Sequence, residues 1–133
     1  MSDNKAYSAA MRLLAASDKT PAELCERLTD KGFSEQDVQN AVARLIREGF
    51  LRELDFAKKT VDRLYGAYYG AEYVTAYLHS RKFSDEALSY AEDCMKELDF
   101  DGKARQYYAK LMAEGKTKQA ARAALYRRGY REE

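Results

Sequence analysis

A segment of about fifty residues occurs three times along this chain. Laid on itself at offsets of 50 and 47 residues, the sequence superposes Leu14 on Leu64 and Leu111, Leu28 on Leu78 and Leu125, and Phe33 on Phe83 and Tyr130. A unit this short cannot hide its apolar faces alone, so consecutive copies must stack. The pattern predicts an all-α fold: tandem three-helix, helix-turn-helix-like repeats in a curved, elongated array. With one proline and seven glycines in 133 residues, the chain lacks the turn residues an all-β fold needs.

The repeat divides the chain into three expected units, 1–54, 55–100 and 101–133. In the first, Ala6, Ala10, Leu13 and Leu14 fall at helical spacing over 5–16. Thr20-Pro21-Ala22-Glu23 reads as a capping box with proline at the first helical position, opening a second helix that carries Leu24 and Leu28. Gly32 suits the left-handed residue that ends it. Ser34 caps a third helix whose early acids complement its dipole, with Val38, Ala41, Val42, Leu45 and Ile46 as its expected buried stripe. The second unit repeats the plan with Val61 and Leu64, Val74, Tyr77 and Leu78, and a Ser84-capped helix carrying Leu88, Ala91, Met95 and Leu98. The third has Ala104, Tyr107, Tyr108 and Leu111, then Ala121, Ala124 and Leu125. It stops three residues after Tyr130 and is expected to hold only two helices.

No apolar run approaches a membrane span, and Met1-Ser2-Asp3-Asn4-Lys5 lacks the plan of a signal peptide, so a cytoplasmic protein is expected. Cys25 and Cys94 lie far apart in helical patterns, and His79 is the only histidine, near a helix end. These features predict neither a disulfide framework nor a metal site, and no cofactor. The sequence has no phosphate-binding glycine loop and no nucleophile elbow, and its acids fall in first turns or on solvated faces. A non-enzymatic protein is expected.

Binding candidates come from charge and aromatics. Residues 1–102 carry 14 Lys/Arg against 19 Asp/Glu, whereas 103–133 carry 9 against 3, so the last quarter is basic although the whole chain is near neutral. Lys116, Lys118, Arg122, Arg127 and Arg128 surround the last helix, and Lys58, Lys59 and Arg63 mark the first helix of the second unit. Ten of the eleven tyrosines lie from Tyr65 onward. Many suit the seams between helices, with ring buried and hydroxyl wet. Tyr68, Tyr69 and Tyr73, where the second unit turns between helices, are the candidates for a surface of rigid rings.

Several local motifs resemble those of the RecX family, regulators of the bacterial recombinase RecA. They are Arg12-Leu13-Leu14, Glu23-Leu24 and Lys31-Gly32-Phe33 in the first unit, and the junction Gly49-Phe50-Leu51-Arg52-Glu53-Leu54-Asp55-Phe56-Ala57. Tyr69-Gly70 and Arg128-Gly129-Tyr130 follow further on. The chain departs from the family pattern at Tyr73-Val74, where arginine-isoleucine is usual, at Arg81-Lys82-Phe83, where lysine-glycine-isoleucine is usual, and in its last helix.

The resemblance implies a protein that binds the RecA–DNA filament and suppresses ATP hydrolysis, strand exchange and co-protease activity, and a monomer is expected. Its contacts would spread over several protomers and add as a multivalent interaction. Two alternatives stand beside it: a DNA-binding module using the basic C-terminal segment, and a structural scaffold. Base reading by the third helices is disfavoured, because they open Glu35-Gln36-Asp37 and Asp85-Glu86, acids that would face phosphates.

Overall fold

A computed structural model describes residues 2–131, with side chains from Asn4 onward. Met1, Glu132 and Glu133, part of the terminal readings above, lie outside the described residues. Eight helices account for the fold, with no strand among the described residues: α1 (Ser2–Ala16), α2 (Pro21–Asp30), α3 (Glu35–Arg47), α4 (Glu53–Gly66), α5 (Ala71–Ser80), α6 (Asp85–Lys96), α7 (Phe100–Ala113) and α8 (Lys118–Arg127). They fall into two triplets and a pair, and each group has its own apolar cluster. The first gathers Leu24, Leu28, Val38 and Leu45, the second Val61, Val74, Leu78 and Ala91, the third Leu111, Ala121 and Ala124.

Local chemistry sets the helix ends. Thr20 Oγ1 accepts from the Glu23 backbone N–H at 3.1 Å while Glu23 Oε1 accepts from the Thr20 N–H at 2.9 Å, a complete capping box. Ser34, Ser84 and Thr117 accept from the third residue of α3, α6 and α8. At the other ends, the N–H groups of Phe33, Phe50, Tyr69, Lys116 and Tyr130 bond carbonyls five residues back, and the residue before each aromatic or lysine takes positive φ. One expectation fails. Ile46 is 52% exposed, because Val38, Ala41, Val42 and Leu45 already define the inward face of α3 and Ile46 lies about a quarter turn away. Ala87, fully buried at the start of α6, takes the inward place beside Ala91.

Adjacent units meet through their second helices, placed end to end. At the first joint the amino end of α2 abuts the carboxyl end of α5: the buried Thr20 hydroxyl donates to the Arg81 carbonyl at 3.0 Å. At the second, the amino end of α5 abuts the carboxyl end of α8: the Gly70 N–H donates to the Arg128 carbonyl at 2.6 Å and the Glu72 N–H to the Gly129 carbonyl at 3.3 Å. Carbonyls at the end of one helix thus meet donors at the start of the next.

The second joint demands glycine. A Cβ on Gly70 would lie 2.5 Å from the Gly129 carbonyl carbon and oxygen, and Gly129, at φ +93°, sits as close to Tyr73. Gly70→Ala is therefore expected to destabilise the protein by about 1–3 kcal/mol through overpacking. Gly66→Ala, where a Cβ would meet nothing within 4 Å, should be neutral or stabilising by up to about 1 kcal/mol. Urea unfolding of the two variants measures the contrast.

Candidate partner-binding surface

Tyr69, Tyr73 and Tyr77 recur every fourth residue and stack along one side of α5. The Tyr69 and Tyr73 centroids are 4.1 Å apart and nearly parallel, and Tyr73 and Tyr77 are 6.3 Å apart. Cations close both ends. The Arg128 guanidinium lies 4.4 Å from the Tyr69 centroid, and Arg63 and Arg81 lie 5.7 and 5.9 Å from that of Tyr77. The run continues into the third unit, since Arg128 also faces Tyr107 at 5.2 Å, Tyr107 stacks on Tyr68 at 5.4 Å, and Lys103 and Lys110 flank Tyr68 at 4.8 and 5.4 Å. These rings are half-buried, with one side on the core and one toward solvent. Each cation–ring contact contributes about 0.5–1 kcal/mol at such sites. The Arg81 hydrogen bond to the Tyr77 hydroxyl, with Arg63 nearby, holds that phenol below its usual pKa against the opposing effect of burial.

Two backbone features fix this surface. Arg128 donates to the Ala67 carbonyl at 2.8 Å, tying the third unit to the turn before α5. Tyr68 takes φ +67° at the end of α4, where the equivalent positions after α2, α3, α7 and α8 are glycines. A left-handed non-glycine residue costs about 1–2 kcal/mol, and here it sets a ring against Tyr107 between two lysines.

The structure therefore gathers Arg63, Tyr68, Tyr69, Tyr73 and Arg128 into one continuous cation–aromatic run and leaves the other sequence candidates outside it. Lys58 pairs with Asp62 on its own helix at 2.9 Å, and Lys59 reaches across the first joint to Asp18 at 2.9 Å. Lys118 and Arg122 form a separate row with Tyr126 on the outer side of α8, Tyr126 being 72% exposed, and Arg127 is exposed nearby. Lys116, Lys118, Arg122 and Arg127 have no ion-pair partner among the described residues, and the first turn of α8 has no acid. They present net positive charge to solvent. His79 is exposed, and both cysteines are half-buried free thiols, with burial raising the Cys25 pKa. Among the described residues no group of three side chains suits a metal ion, and no helix is long and apolar enough to cross a membrane.

The first joint holds charged groups that sequence reasoning did not single out. Arg81 binds Glu23 with both arms, Nε to Oε2 at 2.7 Å and a terminal nitrogen to Oε1 at 3.0 Å, and donates to the Asp18 carbonyl at 3.1 Å. Lys82 pairs with Glu26. Lys19, 8% exposed, donates to the Leu13 carbonyl at 2.9 Å near the end of α1, and burial lowers its pKa. A signal was present: Arg81 and Arg128 hold the same repeat position, two residues before the aromatic.

Burial works to raise the Glu23 pKa, but hydrogen bonds from Arg81 and the Thr20 N–H outweigh it and the value falls below the ordinary 4.5. A depressed carboxylate stabilises the fold above its unfolded pKa and loses that contribution as pH drops through the folded one. Glu23→Gln is expected to cost about 2 kcal/mol at pH 7. The gap between wild type and variant should close below about pH 4, as read from urea midpoints across pH.

The fold defines an all-α protein of tandem three-helix units, and comparison with known proteins is consistent throughout. The model of the first three-helix domain of RecX matches residues 6–45. The regulatory protein RecX of Trichlorobacter lovleyi is 46% identical over 55 residues, covering 41% of this chain and 36% of that protein. RecX of a Mycobacterium species is 33% identical over 88 residues, 65% of this chain and 48% of that protein. The crystal structure of RecX from Lactobacillus salivarius superposes with a TM-score of 0.79 at 16% identity, over 98% of this chain and 89% of that one. The chain is thus similar to RecX proteins in sequence over part of its length and in fold over nearly all of it. The matches span about a third to a half of the length of these curated relatives.

Proposed function

We propose that this chain is a regulator of the RecA recombinase: a cytoplasmic, non-enzymatic protein that binds the RecA–DNA filament and suppresses its ATP hydrolysis, strand exchange and co-protease activity. Similarity to RecX proteins supports the reading, and the cation–aromatic run spanning the second and third units is the observation that carries it to particular residues. Tyrosine and arginine are the residues that most often anchor interfaces. A surface spread over consecutive units suits a partner that itself repeats, because weak contacts to neighbouring protomers then add.

The unpaired cations of α8 favour a second, compatible contact with DNA phosphates. That contact would be independent of sequence, since α3 and α6 open on Glu35 and Asp37 and on Asp85 and Glu86.

The test is a titration into RecA hydrolysing ATP on single-stranded DNA, with co-sedimentation alongside. Wild type is expected to inhibit at sub-stoichiometric ratio and to pellet with the filament. Tyr68→Gly removes a ring while giving the backbone its preferred residue, so it should keep or raise stability yet weaken inhibition by at least about tenfold. Lys118→Glu with Arg122→Glu should flatten the salt dependence of any binding to DNA alone. Unchanged ATPase, with no more pelleting than bare DNA produces, would overturn the regulator reading.

A further inference from the structure

The cation–aromatic run carries more positive charge than the fold uses. Arg63, Lys103, Lys110 and Arg128 lie along it, and none has a carboxylate within ion-pair distance among the described residues. Only Arg81, at one end, is neutralised, by Glu23. The acids nearest in sequence are engaged elsewhere: Asp62 with Lys58 at 2.9 Å, Glu72 with Arg131, and Asp99 with the Gly102 N–H at 2.8 Å. Asp101 lines a groove to which none of the run's residues contributes. Lys103 is half-buried between the rings of Tyr65 and Tyr68, at 4.9 and 4.8 Å, a position where an ammonium without a counter-ion is costly.

The rings decide what kind of anion fits. Tyr73 lies between Tyr69 and Tyr77, and Tyr68, Tyr69, Tyr77 and Tyr107 each have both a ring and a cation beside them. Their faces are thereby occupied, and a nucleic-acid base, which is held by stacking on an open face, finds none here. What the run offers outward is its edges. The hydroxyls of Tyr68, Tyr69, Tyr73 and Tyr107 bond nothing among the described residues and are not buried, so they are available donors beside available cations.

We infer that the run binds an acidic, extended segment of a partner protein, whose carboxylates pair with Arg63, Lys103, Lys110 and Arg128 and accept from the phenol hydroxyls between them. Hydrogen bonds to ionised groups are the strong ones, and a guanidinium can hold a carboxylate with two parallel N–H donors. The four cations belong to α4, α7 and the end of α8, strung along successive contacts of 4.1 to 6.3 Å, so a chain of carboxylates reaches them where a single small anion does not. This is the surface proposed above for the recombinase, so the assignment rests on that reading for the source of the segment and adds the chemistry the segment must have. Lys118, Arg122 and Arg127, outside the run, remain the place for phosphates.

The probe is a labelled peptide of about twelve residues alternating Glu and Gly, about 40 Å long when extended, titrated with the intact protein at low salt and followed by fluorescence anisotropy. Saturable binding with a dissociation constant of about 100 μM or tighter is expected, and none of the Gln–Gly counterpart. Lys103→Gln with Lys110→Gln should weaken it by at least about tenfold, and Arg63→Gln, an exposed change on another helix, by at least about threefold, with circular dichroism native-like. Lys118→Gln with Arg122→Gln should alter it by less than about twofold. An oligothymidine of similar length should respond the other way, losing affinity with the α8 pair and not with Lys103 and Lys110. No saturation up to about 1 mM, equal binding of the neutral peptide, binding unchanged by the run's variants, or an oligothymidine affinity that falls with Lys103 and Lys110 as the peptide's does would overturn the inference. Filament inhibition without peptide binding would overturn it and leave the regulator reading in place, whereas peptide binding without filament inhibition would sustain the acidic segment and remove the recombinase as its source.

Discussion

The array depends on the meeting of helix ends. Each unit has its own apolar cluster, and the clusters do not merge; what joins neighbours is the carboxyl end of one second helix set against the amino end of another. A helix terminus leaves polar groups unpaired, and burying it is unfavourable unless something complements it. Here one helix's surplus acceptors satisfy the next one's surplus donors. Thr20 therefore has two roles at once, accepting from α2 and donating to the end of α5.

The candidate surface is a product of the same joints. Arg128 caps α8, reaches the Ala67 carbonyl, and covers both Tyr69 and Tyr107, so the residue that docks the third unit also connects the aromatic runs on either side. Arg81 has the parallel position one unit earlier, bonding Glu23 and Tyr77. Structural and recognition roles are therefore not separable here by residue type. The cations of α8 are different: they hold nothing together, and their exposure has no structural reason that the fold supplies.

What was legible in the sequence follows from range. Caps, capping box and glycine stops are decided within four or five residues, and Thr20, Ser34, Ser84, Thr117, Gly32 and Gly129 behave as their local chemistry dictates. The inward stripe of α3 was readable except at Ile46, where apolar character alone does not say which side of a helix end faces the core. The joints were not read, although their residues were in view. Tyr69-Gly70 and Arg128-Gly129-Tyr130 stood out as motifs, yet that one packs on the other is a fact about positions about sixty residues apart. Likewise Glu23 looked complete as a capping residue, and only the approach of α5 gives it a second partner.

The two joints are built from different materials. The first relies on ion pairs, Arg81 with Glu23, Lys82 with Glu26 and Lys59 with Asp18, two of them at the surface. The second rests mainly on main chain pressed against main chain at Gly70 and Gly129, with a single surface ion pair, Arg131 with Glu72. Dissolved salt screens exposed charges and hardly touches an N–H bonded to a carbonyl. Added salt and falling pH therefore weaken the contacts between the first and second units more than those between the second and third, so the same change of solvent acts unequally along the array.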